Sequence, residues 1–263
     1  MPTETPTAMM TEPLTVGPTF PPTIAMMTEV PTVGPTFPPA SGNALCGCTD
    51  IPTEVVELVS PVTNRTWMDR NLGASRRATS QDDYFAYGCL FQWGRGLDGS
   101  ASLNWTSSTT GMGMTGTVEG PVSKPFPACT DGEKFVTVAN NQAPFDDFDW
   151  LDTQNNTLWG TGSLRDPCPT GYRVPSEEEW RQELEGIPDG NEAYATLGLT
   201  FAGYRSYPTG GGVSIGEFGF YWSRTSFDRD AVMYISDGST VGNDSTVSIA
   251  ERAFGFSVRC IKA

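Results

Sequence analysis

The stretch DPCPTGYRVPSEEEW, residues 166–180, decides how the rest of the chain is arranged, because it joins a rigid loop to the start of a helix. Pro167 and Pro169 flank Cys168, exclude helix there and hold the chain extended. A Thr-Gly pair at 170–171 then supplies a turn. Cys168 is therefore predicted to lie in a rigid loop that serves as a covalent anchor.

The second half of this stretch carries the signal for a helix. Ser176 and Glu179 have the spacing of a capping box, and three consecutive glutamates suit the positive end of a helix dipole. Apolar residues follow at helical spacing. The pattern predicts an amphipathic helix from Glu177 to about Glu185.

The flanking segments predict a second helix and several strands. Ser80 followed by Asp83 predicts a helix that ends at about Trp93. The alternating pattern of residues 54–72 predicts two short strands joined by a Pro-Val-Thr-Asn turn. The residues expected to face inward are Val56, Leu58 and Trp67. Further strands are predicted at 197–207, 216–226, 231–237 and 254–263. The expected fold is α+β, with a mostly antiparallel sheet, two helices packed on it and long loops.

Six sequence blocks, in a fixed order, resemble a known family. They are RTWMDRNLGA (65–74), AYGCLFQWGRG (86–96), DPCPTGYRVPSEEEW (166–180), AGYR (202–205), FGFYWS (218–223) and the ending GFSVRCIKA. Together they closely resemble the Fibrobacter succinogenes major paralogous domain family, over about residues 45–263. The resemblance implies a C-type-lectin-like domain, compact and extracellular. It transfers no catalytic residues, because a fold does not determine a function.

The resemblance also implies one disulfide, between Cys168 and Cys260. Six cysteines are an even count, which suits an oxidising compartment and structural bridges. The next expected bridge joins Cys89 to Cys129 and fastens a long loop to the core.

The Cys46-Gly47-Cys48 motif leaves several alternatives open. Its cysteines can bond to each other, to other cysteines or to another chain. A redox pair or half of a zinc site is less favoured than structural disulfides, because no other Cys or His has the spacing to complete a tetrahedron.

Charge and composition exclude several functions. The chain of 263 residues has a net charge of −15 and no histidine. The charge opposes binding to nucleic acid and to anionic membranes. The absence of histidine excludes Ser-His-Asp and Cys-His catalysis. No apolar run is long enough to predict a membrane span.

Four N-glycosylation sequons suggest a glycosylating secretory route. They begin at Asn64, Asn104, Asn155 and Asn243. Together with the even cysteine count, they predict an extracellular or cell-surface protein with attached glycans.

Residues 1–44 read as a Pro/Thr-rich tail. The segment AMMTEPLTVGPTFPP (8–22) recurs as AMMTEVPTVGPTFPP (25–39), with a period of 17 residues. Dense proline predicts an extended polyproline-II chain instead of a domain. The threonines predicted to carry O-glycans are Thr15, Thr19, Thr32 and Thr36. Both repeats hold the same apolar residues, which are predicted to dock into neighbouring subunits: Met9, Met10, Val16, Phe20, Met26, Met27, Val33 and Phe37.

Residues 96–145 are rich in Gly, Ser, Thr and Pro without a sustained period, which predicts a long surface excursion tethered by Cys129. In or beside it, Trp105, Trp150 and Trp159 are predicted to be exposed for glycan or partner contact. The other large aromatic residues are predicted to be core: Trp67, Trp93, Trp180, Phe220, Tyr221 and Trp222.

Two groups of carboxylates are candidate sites. Asp146, Asp147, Asp149 and Asp152 offer oxygen ligands to calcium, but their spacing matches no known calcium loop, and simple solvation is the favoured interpretation. A glycosidase pair that uses the glutamates at 177–179 is disfavoured, because helix capping explains them. No catalytic residue and no cofactor other than this calcium alternative is predicted.

These observations predict an extracellular, non-enzymatic glycoprotein. Its expected function is structural: a subunit of a fibre or surface matrix that polymerises with copies of itself, head to tail, through the tail. The alternative is a stalked adhesin or lectin-like module for glycan or protein ligands, with its site on the loops between residues 96 and 165.

Overall fold

The structure is a computed structural model that describes residues 43–139, 148–227, 230–237 and 246–263. They all lie within one compact unit, Pro38–Ala263. The tail, with its candidate O-glycosylated threonines and its eight apolar anchors, lies outside the described residues, and so do Asp146, Asp147 and Asn243.

The described residues form an α+β structure of short, mostly antiparallel strands and two α-helices, in agreement with the predicted class. The strands are β1 (Asn43–Ala44), β2 (Glu57–Val59), β3 (Thr66–Met68), β4 (Phe91–Gln92), β5 (Leu103–Ser107), β6 (Thr110–Gly113), β7 (Thr117–Glu119), β8 (Phe135–Thr137), β9 (Tyr172–Arg173), β10 (Tyr204–Arg205), β11 (Gly212–Val213), β12 (Phe218–Phe227), β13 (Asp230–Asp237), β14 (Thr246–Glu251), β15 (Gly255–Phe256) and β16 (Ile261–Lys262). The helices are α1 (Glu177–Leu184) and α2 (Gly190–Leu197).

The strands form several small sheets. The orders are β2-β3-β16-β9, β11-β10-β15-β4, β12-β13-β14 and β1-β5-β6, all antiparallel, while β7 and β8 pair in parallel. α1 contacts β12, β13 and β14, and α2 contacts β13, so both helices pack on the β12–β14 sheet. A small core cluster beneath them joins Trp67, Trp180 and Tyr221, and a larger cluster fills the rest of the domain.

Helix α1 has the start and length that the sequence predicts. Ser176 accepts a hydrogen bond from the backbone N–H of Glu179, and the Glu179 carboxylate accepts one from the backbone N–H of Ser176, which completes the capping box. Arg173 also pairs with Glu179, at 2.7 Å from Nη1 to Oε2. Burial raises the pKa of Glu179, but the contacts with Arg173 and Ser176 outweigh burial and lower it to about 2.

The predicted helix from Ser80 to Trp93 is wrong. Asp83 caps only a single 3-10 turn, Tyr84–Ala86. Gly88 has a φ of 73°, which ends helical geometry, and β4 then pairs with β15 from the far end of the chain. The second α-helix is α2, which the sequence analysis missed although Asp189 caps its start and Gly198, with a φ of 65°, ends it.

The predicted hairpin of residues 54–72 forms as β2 and β3, with Leu58 opposite Trp67. Trp67 is fully buried and Leu58 packs against the same cluster. Val56, in contrast, is 37% exposed, so the prediction that it faces inward is wrong. By the alternation of side chains, Val56 lies on the same face as Leu58, but it precedes β2 by one residue, at the end of the pairing with β3, where its side chain is only partly covered.

All seven tryptophans are buried, and each donates its indole N–H to an acceptor. The predicted exposure of Trp105, Trp150 and Trp159 is therefore wrong. Their Nε1 atoms bond to the backbone carbonyls of Gly88, Trp93 and Arg95, at 2.8, 2.7 and 3.1 Å. Loops leave carbonyls unpaired, and a buried indole satisfies them while it fills the core.

Residues 96–145 are likewise not a surface excursion as a whole, because they supply β5 to β8 and several core side chains, including Phe135 and Val136.

Buried arginines hold the loops in the same way as the tryptophans, by donating hydrogen bonds to backbone carbonyls. Arg259 donates to the carbonyls of Met68, Leu197 and Gly198, and burial lowers its pKa to about 10, so the group stays charged at neutral pH.

Candidate functional site

The cysteines form three disulfides in the described residues. The structure pairs Cys168 with Cys260, the bridge that the family resemblance implies, with Cα atoms 5.9 Å apart. The expected pair of Cys89 with Cys129 is wrong. Cys89 joins Cys46, with Cα atoms 6.5 Å apart, and Cys129 joins Cys48, with Cα atoms 5.1 Å apart.

The Cys46-Gly47-Cys48 motif therefore contributes one cysteine to each of two disulfides. Cys46 is held inside the core by a hydrogen bond from its backbone N–H to Ser102 Oγ, at 2.9 Å. Two residues later, Cys48 fastens the loop that carries Cys129. Both disulfides tie the N-terminal segment of the domain to segments far along the chain, so both cysteines of the motif are used in structural disulfides in this structure.

Two of the four candidate calcium residues, Asp149 and Asp152, belong to the described residues. The Asp149 carboxylate lies 3.5 Å from the Arg252 guanidinium, and Asp152 is exposed. No group of three or more acidic, Cys or His side chains placed to hold a metal occurs in the part of the chain that the structure describes. The calcium site therefore stays an untested prediction.

Three of the four sequon asparagines are described. Asn64 lies exposed in the β2–β3 turn with a φ of 60°, and Asn104 is exposed on β5. Asn155 is half-buried, and its Oδ1 accepts hydrogen bonds from the backbone N–H and the hydroxyl of Thr157. Glycans at Asn64 and Asn104 would extend into solvent without disturbing the core.

An open backbone edge lies along residues 55–60, here called the β2 edge. Within the described residues, β2 has one neighbour, β3. Two backbone bonds, from Asp69 N to Val56 O and from Ser60 N to Arg65 O, show that alternate residues of this segment face β3. In an antiparallel ladder the residues between them direct their N–H and C=O groups outward. These outward residues include Val55 and Val59, whose side chains are 43% and 53% exposed.

The structure also contains an open surface groove of about 450 Å³ with a mixed polar and apolar lining, here called the Tyr84 groove. One wall is the capped 3-10 turn and its approach, with Arg76, Ser80, Asp82, Asp83, Tyr84 and Phe85. The other wall is the turn of the β5–β6 hairpin at residues 106–108. Tyr87 joins the two walls, because its hydroxyl donates to the carbonyl of Ser108, at 2.9 Å.

The floor of the Tyr84 groove is fixed by Asp83. Its carboxylate accepts hydrogen bonds from Arg76 Nε and Nη2 at 3.1 and 2.9 Å, and from the backbone N–H and hydroxyl of Thr79 at 3.0 and 2.9 Å. Burial raises the pKa of Asp83, but these hydrogen bonds outweigh burial and leave the pKa below its ordinary value. Asp83 therefore stays ionised and holds Arg76 in place.

Sequence reasoning missed the Tyr84 groove. Tyr84 and the residues after it read as the buried face of a helix, whereas the 3-10 turn leaves Tyr84 and Phe85 half-buried. The hydroxyl-rich segment at 106–109 was visible in the sequence, but its position opposite Tyr84 depends on the fold.

The chain matches no protein-family model, no curated protein and no solved structure at the significance level that we required. No helix of the described residues has the length and apolar character needed to cross a membrane.

Proposed function

We propose that the chain is an extracellular, non-enzymatic subunit of a fibre or surface matrix. In this proposal, residues 45–263 form a C-type-lectin-like domain, and the N-terminal tail docks onto a neighbouring copy, so that subunits polymerise head to tail. N-glycans at the sequon asparagines and O-glycans on the tail threonines cover the assembled surface.

The observation that carries the proposal is the β2 edge. Unpaired backbone N–H and C=O groups beside exposed valines are a template for an added strand. Each tail repeat contains a proline-free Thr-Val-Gly segment with Val16 or Val33 at its centre. Strand addition by that segment pairs with part of the open edge and buries apolar side chains on both partners.

The dimensions of the tail agree with this arrangement. A repeat of 17 residues in polyproline-II conformation reaches about 50 Å, at about 3.1 Å per residue. That length spans a domain of this size. Two equivalent repeats then meet equivalent edges on successive subunits, which leaves the assembly open.

Deletion of residues 1–40 tests the assembly. We expect negative-stain microscopy to show fibres for the full chain and only separate particles for the shortened chain. A shortened protein that still forms the same fibre contradicts the proposal and leaves the tail as a spacer.

A pair of substitutions then tests the docking position. Val59→Lys places a charge on the β2 edge, whereas Leu164→Lys changes a residue that is 89% exposed outside that edge. The proposal expects Val59→Lys to abolish fibres and Leu164→Lys to leave them intact. Equal behaviour of the two variants contradicts docking at β2.

The adhesin alternative loses the tryptophan contacts expected for it, because Trp105, Trp150 and Trp159 are buried. One wall of the Tyr84 groove, residues 106–108, lies within the loops to which the alternative assigns its ligand site.

A further inference from the structure

We propose that the Cys48–Cys129 bridge is a site of thiol–disulfide exchange, at which the chain forms mixed disulfides with small thiols that carry no net negative charge. The inference is independent of the proposed fibre assembly, because neither cysteine belongs to the β2 edge. It rests on the exposure of this bridge, on the contacts that hold its two segments together and on the carboxylates beside Cys48.

The other two bridges are enclosed by the fold. Cys46 and Cys89 are 3% and 0% exposed, and a Cβ at Gly73 would lie 2.4 Å from Cys89 Sγ and 2.8 Å from Cys46 Sγ, so backbone covers this bridge. In the third bridge, Cys168 is half-buried and Cys260 is fully buried. An external thiol therefore has little access to either pair.

Cys48 and Cys129, in contrast, are both exposed. Exchange begins when a thiolate attacks one sulfur of a disulfide, so its rate depends on access to that sulfur. A new S–S bond to the external thiol forms as the Cys48–Cys129 bond breaks, and the displaced cysteine thiolate takes up the proton that the external thiol released to water. The step requires no oxidant or reductant other than the thiol, which becomes one half of the mixed disulfide.

The two segments that carry these cysteines have other contacts to hold them when the bridge opens. The backbone N–H of Cys48 donates to the carbonyl of Thr130 at 3.3 Å, and that of Thr130 donates to the carbonyl of Leu97 at 3.2 Å. The backbone N–H and the hydroxyl of Thr49 donate to the Asp131 carboxylate at 3.2 and 2.8 Å. The displaced thiol thus stays near the mixed disulfide, attacks it in turn and releases the small thiol, so the exchange is reversible.

Two carboxylates lie beside Cys48 and select the thiol by its charge. Asp50 accepts a hydrogen bond from the backbone N–H of Gly47, and Asp131 accepts one from that of Thr49. The hydrogen bonds from Thr49 lower the pKa of Asp131, so this carboxylate is ionised at neutral pH. These groups and the net charge of −15 repel a thiolate that carries a further negative charge and favour one that carries an ammonium group.

Basic side chains do not offset these carboxylates close to the bridge. The sequence has no Lys or Arg within two positions of Cys48 or of Cys129. Arg165 contacts the loop of Cys129, but its guanidinium donates to the carbonyl of Phe126, three positions before the cysteine.

The test uses the full-length oxidised chain and three thiols at equal thiolate concentration: cysteamine, 2-mercaptoethanol and glutathione, which are cationic, neutral and anionic. Reactions are stopped with acid, and the modified cysteines are located by peptide mapping. We expect Cys48 and Cys129 to react at least about tenfold faster than the other four cysteines. Cysteamine is expected to react fastest and glutathione slowest, with a smaller difference at high salt.

A pair of substitutions separates the effect of charge from the effect of exposure. Asp131→Asn removes one carboxylate beside Cys48 and is expected to raise the ratio of the glutathione rate to the 2-mercaptoethanol rate by about two- to threefold. Glu178→Gln removes an exposed carboxylate on α1 and is expected to leave this ratio unchanged. A loop loosened by Asp131→Asn would accelerate all three thiols alike, so the ratio reports charge alone.

Three results would overturn the inference: Cys48 and Cys129 react no faster than the other cysteines, the three thiols react at equal rates, or Asp131→Asn and Glu178→Gln give the same ratio. None of these results bears on fibre formation, which is scored by microscopy with no thiol present.

Discussion

At the scale of single residues, this fold depends on large side chains that pair with backbone. Trp93, Trp150 and Trp222 donate to carbonyls of residues 57 to 131 positions away in sequence. A domain built from short strands has many carbonyls outside regular ladders, and each would cost about 1–3 kcal/mol if buried without a partner. Buried Arg259 plays the same part beneath α2.

Glycine is required at particular residues of this loop-rich backbone. Gly88 has a φ of 73°, and a Cβ there would lie 2.3 Å from the carbonyl oxygen of Leu72. Gly116 has a similar φ of 75°, but a Cβ there meets no atom within 4 Å.

These two glycines form a matched pair for a stability measurement. Gly116→Ala is expected to cost about 1–2 kcal/mol, the strain of a left-handed alanine. Gly88→Ala adds a backbone clash and is expected to cost at least about 2 kcal/mol more. Urea unfolding of both variants measures the difference, and equal losses would contradict the close packing of Gly88 against Leu72.

At the scale of elements, a helix with a local capping motif could be predicted from the sequence, whereas a strand that depends on a distant partner could not. Helix α1 was predictable because its capping box and apolar spacing lie within a few residues. The stretch after Asp83 has an equally good local cap, yet it becomes β4, because Phe91 pairs with Phe256. That partner is 165 positions away, and no local pattern reveals it.

The candidate sites also divide into features that a local sequence motif reveals and features that depend on the fold. The exposed sequon asparagines could be recognised from sequence because the sequon itself is local. The Tyr84 groove could not, because its walls come from two segments that meet only in the folded domain. The partners of Cys46 and Cys48 could not be predicted from the sequence either, since six cysteines allow 15 connectivities.

Helix α1 gives a prediction for the pH dependence of stability. The pKa of Glu179 is lowered from 4.5 to about 2 in the folded chain, so its contribution is fully present above pH 4.5 and is lost as the pH falls toward 2. We expect Glu179→Gln to cost on the order of 2 kcal/mol at pH 7 and little at pH 2.

Glu178→Gln is the control, because Glu178 is exposed on the same helical turn. Thermal unfolding between pH 7 and pH 2 provides the measurement. If the two variants lose stability in parallel across this range, the capping and ion-pair role of Glu179 is contradicted.

At the scale of the whole molecule, three disulfides hold segments that are far apart in sequence. The Cys168–Cys260 bridge has a sequence separation of 92 residues and joins the loop before α1 to the chain end. The other two bridges, with sequence separations of 43 and 81, attach the N-terminal segment of the domain, at Cys46 and Cys48, to later parts of the chain. The small sheets are thereby joined covalently as well as by packing.

Removal of the Cys168–Cys260 bridge is expected to destabilise the domain strongly. In the chain-entropy description, a loop of this length contributes about 4–5 kcal/mol. The double substitution of both cysteines by Ser should therefore lower the thermal midpoint sharply or abolish the transition. Peptide mapping without reduction provides the check, and Cys168 linked to another cysteine would refute the pairing.

In the proposed fibre, the β2 edge receives the tail of a neighbouring subunit. Amide hydrogen exchange of the full chain measures this directly, when fibres are compared with dissociated subunits. We expect the outward amides of this segment, including those of Val55 and Val59, to become protected in the fibre, because an added strand bonds to the outward N–H groups. Exchange in this segment at the same rate in fibres and in free subunits would contradict it.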